Sequence, residues 1–398
     1  MRQQRPRSGA GVLGMVLALL MTGLASGVLA QGGSRAEIYG HAMLDMGYQT
    51  KQNAPDWFDV VRPTKLPSFE NEFGEDGRWF SSVRQSRLGV RTFTPTSRGE
   101  LKTIFEFELF GTGPDAGQTT FRLRHAYGEL GHWGAGQTWS PFMDIDVFPN
   151  SLEYWGPNGM VFFRNVQFRW MPIQGETRLT IALERPGASG DPGIYSGTIE
   201  LSGIQGRFPL PDLSAEYRLG RKWGYVEVAG IARRIEWDDN LADAVDLSGA
   251  ALGWGVNVSS NIKTGSKGTI RLQAVYGEGI QNYMNDATED IGIDNGEGAA
   301  LPILGLVAFY DRNWSDEWSS TIGYSMVDIT NSDGQSPSAY QTGHYALVNL
   351  LHYPVANVML GPELQWGRRE NNSDGFTSDD FRVQFSVKCN FSSKLGGS

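Results

Sequence analysis

The chain has 398 residues, 44 acidic against 34 basic side chains for a net charge of −10, and a single cysteine, Cys389. Phosphate binding needs a basic surface, so an acidic chain disfavours a nucleic-acid partner, and one cysteine excludes an internal disulfide framework. Fifty-one glycines beside 12 Trp, 14 Tyr and 20 Phe, at a mean hydropathy of −0.32, suit strands that are half polar and half apolar better than a helical enzyme.

At the N-terminus, Arg2, Arg5 and Arg7 precede an apolar run from Val12 to Leu20, and Val28-Leu29-Ala30 offers modest side chains for cleavage before Gln31. This predicts a secretory signal peptide over 1–30. Three of the 34 basic residues lie in it, which takes the expected mature charge from −10 to −13. No later segment holds the eighteen or so consecutive apolar residues of a transmembrane helix.

Strands follow in order, expected near 36–48, 79–94, 100–110, 120–130, 133–139, 161–170, 176–184, 213–219, 224–236, 248–262, 269–276, 302–312, 318–327, 340–352, 357–368 and 379–391. The last is the clearest. Phe381, Val383, Phe385, Val387, Cys389 and Phe391 alternate with Arg382, Gln384, Ser386, Lys388 and Asn390. Period-two alternation of this length puts one face against an apolar medium and the other against water. Leu101, Thr103, Phe105, Phe107 and Leu109 repeat it against Glu100, Lys102, Glu106 and Glu108, as do Leu252, Trp254, Val256 and Val258 against small residues and Asn257.

The connections alternate short and long. Short turns fall at 95–99, 131–132, 171–175, 220–223, 263–268, 313–317 and 353–356; the longest loops fall at 49–78, 140–160, 185–212 and 277–301. Short periplasmic turns and longer external loops are the signature of an outer-membrane barrel. Phe93, Trp133, Trp170, Trp223, Trp314, Trp318 and Tyr353 stand beside the short turns and Phe391 ends the last strand, the expected place of an aromatic girdle. In lipid, open sheet edges leave backbone groups unsatisfied, so the sheet must close. About sixteen strands enclose a water-filled lumen. The expectation is an all-β, transmembrane antiparallel β-barrel over 31–391 in a bacterial outer membrane, in contact with lipid and lipopolysaccharide, followed by a short tail over 392–398.

Candidate functional residues gather in two sets. The third external loop, 140–160, is unusually apolar, with Phe142, Ile145, Phe148 and Trp155, and carries Asp144, Asp146 and Glu153. Long loops with their own apolar content are commonly functional, and an inward fold is expected here. Arg87, Arg91, Arg122, Arg124, Arg164, Arg169, Arg178, Arg233, Arg271 and Arg382 fall on positions whose parity opposes the lipid-facing residues. Arginine facing lipid at mid-membrane costs about 2–4 kcal/mol, so these should line water. A basic wall opposite an acidic loop sets up a transverse field that filters by charge; alternatively, the arginines pair with Glu106, Glu108 and Glu363 to brace the wall. His41, His125, His132, His344 and His352 show no metal-ligand spacing, and there is no Gly-x-Ser-x-Gly elbow, so neither catalytic residue, cofactor nor metal is expected.

Four segments carry a family resemblance. They are Phe121-Arg122-Leu123-Arg124-His125-Ala126-Tyr127-Gly128-Glu129-Leu130; Gly136-Gln137-Thr138-Trp139-Ser140-Pro141-Phe142-Met143-Asp144; the stretch from Leu360 to Asn371; and that from Phe381 to Lys388, ending at Phe391. In this order they resemble the DcaP-like trimeric porins over roughly 36–391. The resemblance implies a homotrimer of sixteen-stranded barrels that takes up small anionic solutes such as dicarboxylates, with Arg122, Arg124 and the Asp144 loop lining the constriction. Two features depart from it: the helical extension of some relatives is not expected before the first strand, and residues follow the terminal aromatic. The competing expectation is a structural or adhesive barrel with a blocked lumen.

Overall fold

Alternation along each strand decides the fold. The computed structural model describes residues 33–191, 204–239, 246 and 248–396; the expected signal peptide lies outside these. The strands are β1 (Arg35–Gln49), β2 in two pieces (Arg78–Ser82 and Arg87–Thr96), β3 (Gly99–Phe110), β4 (Thr119–Leu130), β5 (Trp133–Trp139), β6 (Arg164–Ile173), β7 (Arg178–Glu184) and β8 (Asp212–Arg221). They continue as β9 (Gly224–Asp239), β10 (Gly249–Thr264), β11 (Gly268–Glu278), β12 (Pro302–Asn313), β13 (Trp318–Ile329), β14 in two pieces (Tyr340–Asn349 and Leu351–His352), β15 (Val358–Asn371) and β16 (Thr377–Gly396).

Each strand pairs antiparallel with the next, and β16 returns to β1, with Gln49 opposite Arg382 and Arg35 opposite Gly396. The result is a closed sixteen-stranded barrel. Closure leaves no edge strand, which is the condition for a sheet in lipid. The last strand, expected to end at Phe391, continues to Gly396 because residues 392–396 still find partners in Arg35 to Tyr39.

The faces are inverted relative to a soluble protein. On β10, Leu252, Trp254, Val256 and Val258 are exposed while Asn257 and Ser259 are buried. On β16, Phe381, Val383 and Phe385 are exposed, and Arg382, Gln384 and Ser386 between them are buried. Only an apolar exterior medium makes this arrangement stable. Trp133, Trp170, Trp223, Trp314, Trp318 and Phe391 are exposed near the short-turn end, as a girdle requires. Tyr353 departs from it: its hydroxyl reaches Asn150 at 3.0 Å and Ser319 at 3.2 Å, on the opposite face.

The main apolar core joins the segment between β5 and β6 to the inner side of β9–β14. Phe142, Met143, Val147, Met160 and Val161 pack with Ala229, Ile231, Val275, Val307, Phe309, Val327, Tyr345 and Leu347. The contact is close enough to require glycine. A Cβ on Gly159 would lie 1.9 Å from the Met326 carbonyl oxygen of β13, and one on Gly255 would lie 2.8 Å from the Phe142 ring. Two features were not expected from the alternation: a hairpin at Ile291–Asp294 and Glu297–Ala300 inside the 277–301 loop, and a short strand, Ile204–Arg207, that lengthens the pairing of β9.

Candidate functional site: an arginine cluster and the 140–163 segment

The segment from Ser140 to Phe163 touches three separated parts of the wall. At one end, Asp144 is fully buried and accepts from Arg218 at 2.5 Å, Tyr225 at 2.6 Å and Ser259 at 2.6 Å, on β8, β9 and β10. Asp146 accepts from the other Nη of Arg218 at 2.5 Å. In the middle, the Asn150 carbonyl accepts from Thr321 and Asn349 on β13 and β14. The amides of Leu152 and Glu153 donate to Glu363 of β15 at 2.8 and 3.0 Å. At the far end, the Tyr154 hydroxyl donates to Glu108 of β3. Glu153 is buried, accepting from the Val61 amide at 3.2 Å, the Gly156 amide at 2.5 Å and the Tyr345 hydroxyl at 3.2 Å. Burial pushes its carboxyl up to about 7.

Facing that far end is a cluster on β2, β3, β4 and β6. Arg124 donates to Glu106 and Glu108, both at 2.6 Å. Arg87 lies 3.3 Å from Glu108 and 3.7 Å from Glu106. Arg122 and Arg164 each stand 3.7 Å from the same atom, Glu108 Oε1. Four arginines thus face two carboxylates, leaving two positive charges in surplus. A β-bulge builds the cluster: the register shifts so that Glu106 faces His125 while Phe107 faces Leu123. Arg124 is then unopposed, and both Arg124 and His125 are buried.

The remaining candidate arginines are spread around the barrel. Arg91 lies beside Glu37 at 3.9 Å and over the Tyr39 ring at 4.1 Å. Arg169 donates to the Trp139 carbonyl at 2.7 Å. Arg178 reaches Glu216 and Glu227, Arg233 reaches Asp212 and Asp290, and Arg271 reaches Asp311. Arg382 is fully buried and stacked on Phe80 at 3.8 Å, and its three side-chain nitrogens have no hydrogen-bond partner among the described residues. Glu363, one of the carboxylates expected to pair with arginine, instead accepts from loop amides, Asn349 and Gln365.

Sequence reasoning passed over Arg218, which ties down both loop aspartates and Glu227. Its parity signals it, since Tyr217 beside it is exposed and Arg218 is buried. Arg62 was also missed. It lies between the rings of Trp57 and Trp155, 4.2 and 4.0 Å away, and pairs with Asp286 at 2.8 Å.

Two clefts flank the 140–163 segment. One, of about 440 Å³, is bounded by the long loops and by Arg62, Arg122 and Arg164. The other, of about 550 Å³, lies at the short-turn end beside Arg218, Arg221, Lys263 and Arg271. Among the described residues, the first cleft is lined by three arginines and no carboxylate, whereas the second sets Arg218, Arg221, Lys263 and Arg271 against Asp146 and Glu176.

The family model "DcaP outer membrane protein" matches residues 68–391. Among solved structures, the chain is similar to the outer membrane channel DcaP of Acinetobacter baumannii at 22% identity and a TM-score of 0.76, covering 91% of this chain and 100% of that one. It is similar to the anion-selective porin of Comamonas acidovorans at 12% identity and a TM-score of 0.57, covering 90% and 100%. It is similar to OmpT of Vibrio cholerae at 11% identity and a TM-score of 0.55, covering 92% and 99%. The sequence has no match among curated proteins. With a closed barrel, an apolar exterior and a family match over most of its length, the chain belongs to the DcaP outer membrane protein family and is an outer-membrane porin.

Proposed function

We propose that this porin is a passive diffusion channel favouring small anions, dicarboxylates among them, and that the 140–163 segment folds inward as its constriction. The carrying observation is the cluster in which Arg87, Arg122, Arg124 and Arg164 outnumber Glu106 and Glu108. Surplus charge in a confined lumen raises the local concentration of the opposite ion and excludes like charge. Glu108 accepts from Arg87, Arg124 and Tyr154, while Arg122 and Arg164 stand 3.7 Å from it, so these two keep their donors available to a passing solute. The Asp144 and Asp146 carboxylates lie on the far side of the segment, where Arg218 binds both and offsets one of their two charges. A carboxylate would pass from the mouth at Arg62, Arg122 and Arg164 to the mouth at Arg218 and Arg271. No bond is made or broken and no energy source is required. A homotrimer bearing lipopolysaccharide on its outer rim completes this reading.

The competing reading is an occluded structural barrel. It is favoured by the complete burial of Phe142, Leu152 and Met160 in the segment between the two clefts. Purified, folded protein in a planar bilayer separates the two. The channel reading expects ohmic conductance and swelling of liposomes in succinate faster than in a diamine of equal length. Silent bilayers support occlusion.

A further inference from the structure

Beyond charge, the long-loop cleft has walls that a simple anion filter does not need. Its basic side is Arg122 and Arg164. The Arg164 side chain is only 6% exposed, its Cζ lies 5.0 Å over the Trp139 ring, and its Nη1 is buried with no hydrogen-bond partner among the described residues. A guanidinium N–H left unpaired in a buried place is costly unless a further acceptor comes to it. The nearest carboxylate is not that acceptor, because Glu108 stands 3.7 Å away, beyond hydrogen-bond reach. Arg122, 30% exposed and 3.7 Å from the same Glu108 oxygen, makes no side-chain hydrogen bond among the described residues. The two guanidinium groups are thus neighbours with donors to spare.

Opposite and beside them the lining is aromatic. Tyr154, Trp155, Phe162 and Phe163 all line the cleft and all are partly exposed. These rings are held firmly: Trp155 donates to the Asn285 carbonyl at 2.8 Å, Tyr154 is stacked on Phe110 at 3.9 Å, and Phe162 packs edge-on against Trp139 at 5.2 Å. Asn282 and Asn285 add polar groups at the rim. A volume of about 440 Å³ lies within the range of small-molecule sites. Paired cationic donors next to a rigid aromatic surface match a ligand with a carboxylate on a flat ring: a planar group keeps bidentate contact with arginine while its ring stacks or meets ring edges.

We infer that the long-loop cleft is a binding site for aromatic carboxylates, the carboxylate held by Arg122 and Arg164 and the ring by Phe162, Phe163 and Trp155. It rests on the channel reading only in placing this site on the solute's path; binding itself does not require an open or anion-selective pore.

The test uses the full-length protein folded in detergent and titrated calorimetrically with benzoate, cyclohexanecarboxylate and acetate. Benzoate is expected to bind about tenfold or more tightly than cyclohexanecarboxylate, a difference of about 1.4 kcal/mol or more, and acetate weaker still. Arg164→Gln should lower benzoate affinity about tenfold. Arg122→Gln, at a residue with no side-chain hydrogen bond to lose, gives the same test without disturbing the wall. Phe162→Leu should weaken benzoate and leave acetate unchanged. In bilayers, benzoate added on the long-loop side should block at lower concentration than from the short-turn side. Equal binding of benzoate and cyclohexanecarboxylate, or benzoate affinity unaltered by all three substitutions, overturns the assignment. Cation selectivity in salt alone would overturn the channel's proposed preference and leave this site standing.

Discussion

Arg122 and Arg124 sit two residues apart and share Glu108, yet should respond to substitution in different ways. Arg122 is partly exposed, stands 3.7 Å from Glu108 and donates no hydrogen bond. Replacing it with glutamine removes one positive charge from the proposed path. For an ion passing about 5 Å away, a unit charge contributes about 0.8 kcal/mol at a dielectric of about 80 and about 3 kcal/mol at about 20. The anion loses this and the cation gains it, so even the lower figure moves the local anion-to-cation ratio by about tenfold. Averaged over the whole path and screened by about 0.1 M salt, the permeability ratio should fall about two- to tenfold. Stability should barely move, since a half-solvated pair at this distance contributes at most about 1 kcal/mol. Arg124 is buried and bonded to both glutamates at 2.6 Å. Arg124→Gln removes the shortest charged hydrogen bond to each of two buried carboxylates, an effect of about 3–5 kcal/mol. The assays are the reversal potential across a tenfold KCl gradient and the temperature at which the folded band is lost on a gel. An R122Q variant with unchanged selectivity, or one as heat-labile as R124Q, refutes the division of roles.

Other outcomes follow from the same geometry. Val256 is exposed to the apolar medium near the middle of β10, so Val256→Arg should destabilise the barrel by about 2–4 kcal/mol, read as a lowered unfolding midpoint in denaturant. Glu363→Leu removes the acceptor of the Leu152 and Glu153 amides; each such bond contributes about 1.5–3 kcal/mol, so the segment should loosen and single-channel conductance should rise and become noisier. Glu153 carries a carboxyl raised to about 7 from an ordinary 4.5. The folded state holds that proton more tightly than the unfolded one, so its contribution is complete below about pH 4.5 and lost as pH rises through about 7. Resistance of the 140–163 segment to chymotrypsin, normalised to the protease's own activity at each pH, should therefore fall between pH 5 and pH 8, with cuts at Phe148, Tyr154 or Trp155, and Glu153→Gln should remove that dependence.

Much of the barrel is legible in the sequence because lipid enforces period two along its strands. Phe381 to Phe391 could be read outright, and the positions of the short turns set the strand count. What stayed hidden depends on partners distant in the chain. Residues 392–396 look like a tail, yet β1 supplies their hydrogen bonds. The bulge at Arg124 breaks the alternation that parity relies on, and only the register with Glu106 reveals that His125 is buried beside it. Asp144 and Asp146 read as free acids on a loop; that Arg218 binds both depends on where a segment lands some seventy residues away in sequence. Tyr353 reads as a girdle residue by position, but Asn150 draws it to the other face. The segment's glycines, by contrast, become intelligible only against the wall, where Gly159 lies directly on the β13 backbone.

One measurement bears most directly on the account: the sign of the reversal potential when purified protein in a planar bilayer separates concentrated from dilute KCl. Surplus positive charge on Arg122 and Arg164 requires chloride to carry the larger share of current. A potential of the opposite sign would show that potassium does, and the arginine cluster would then be a brace in the wall and not a filter.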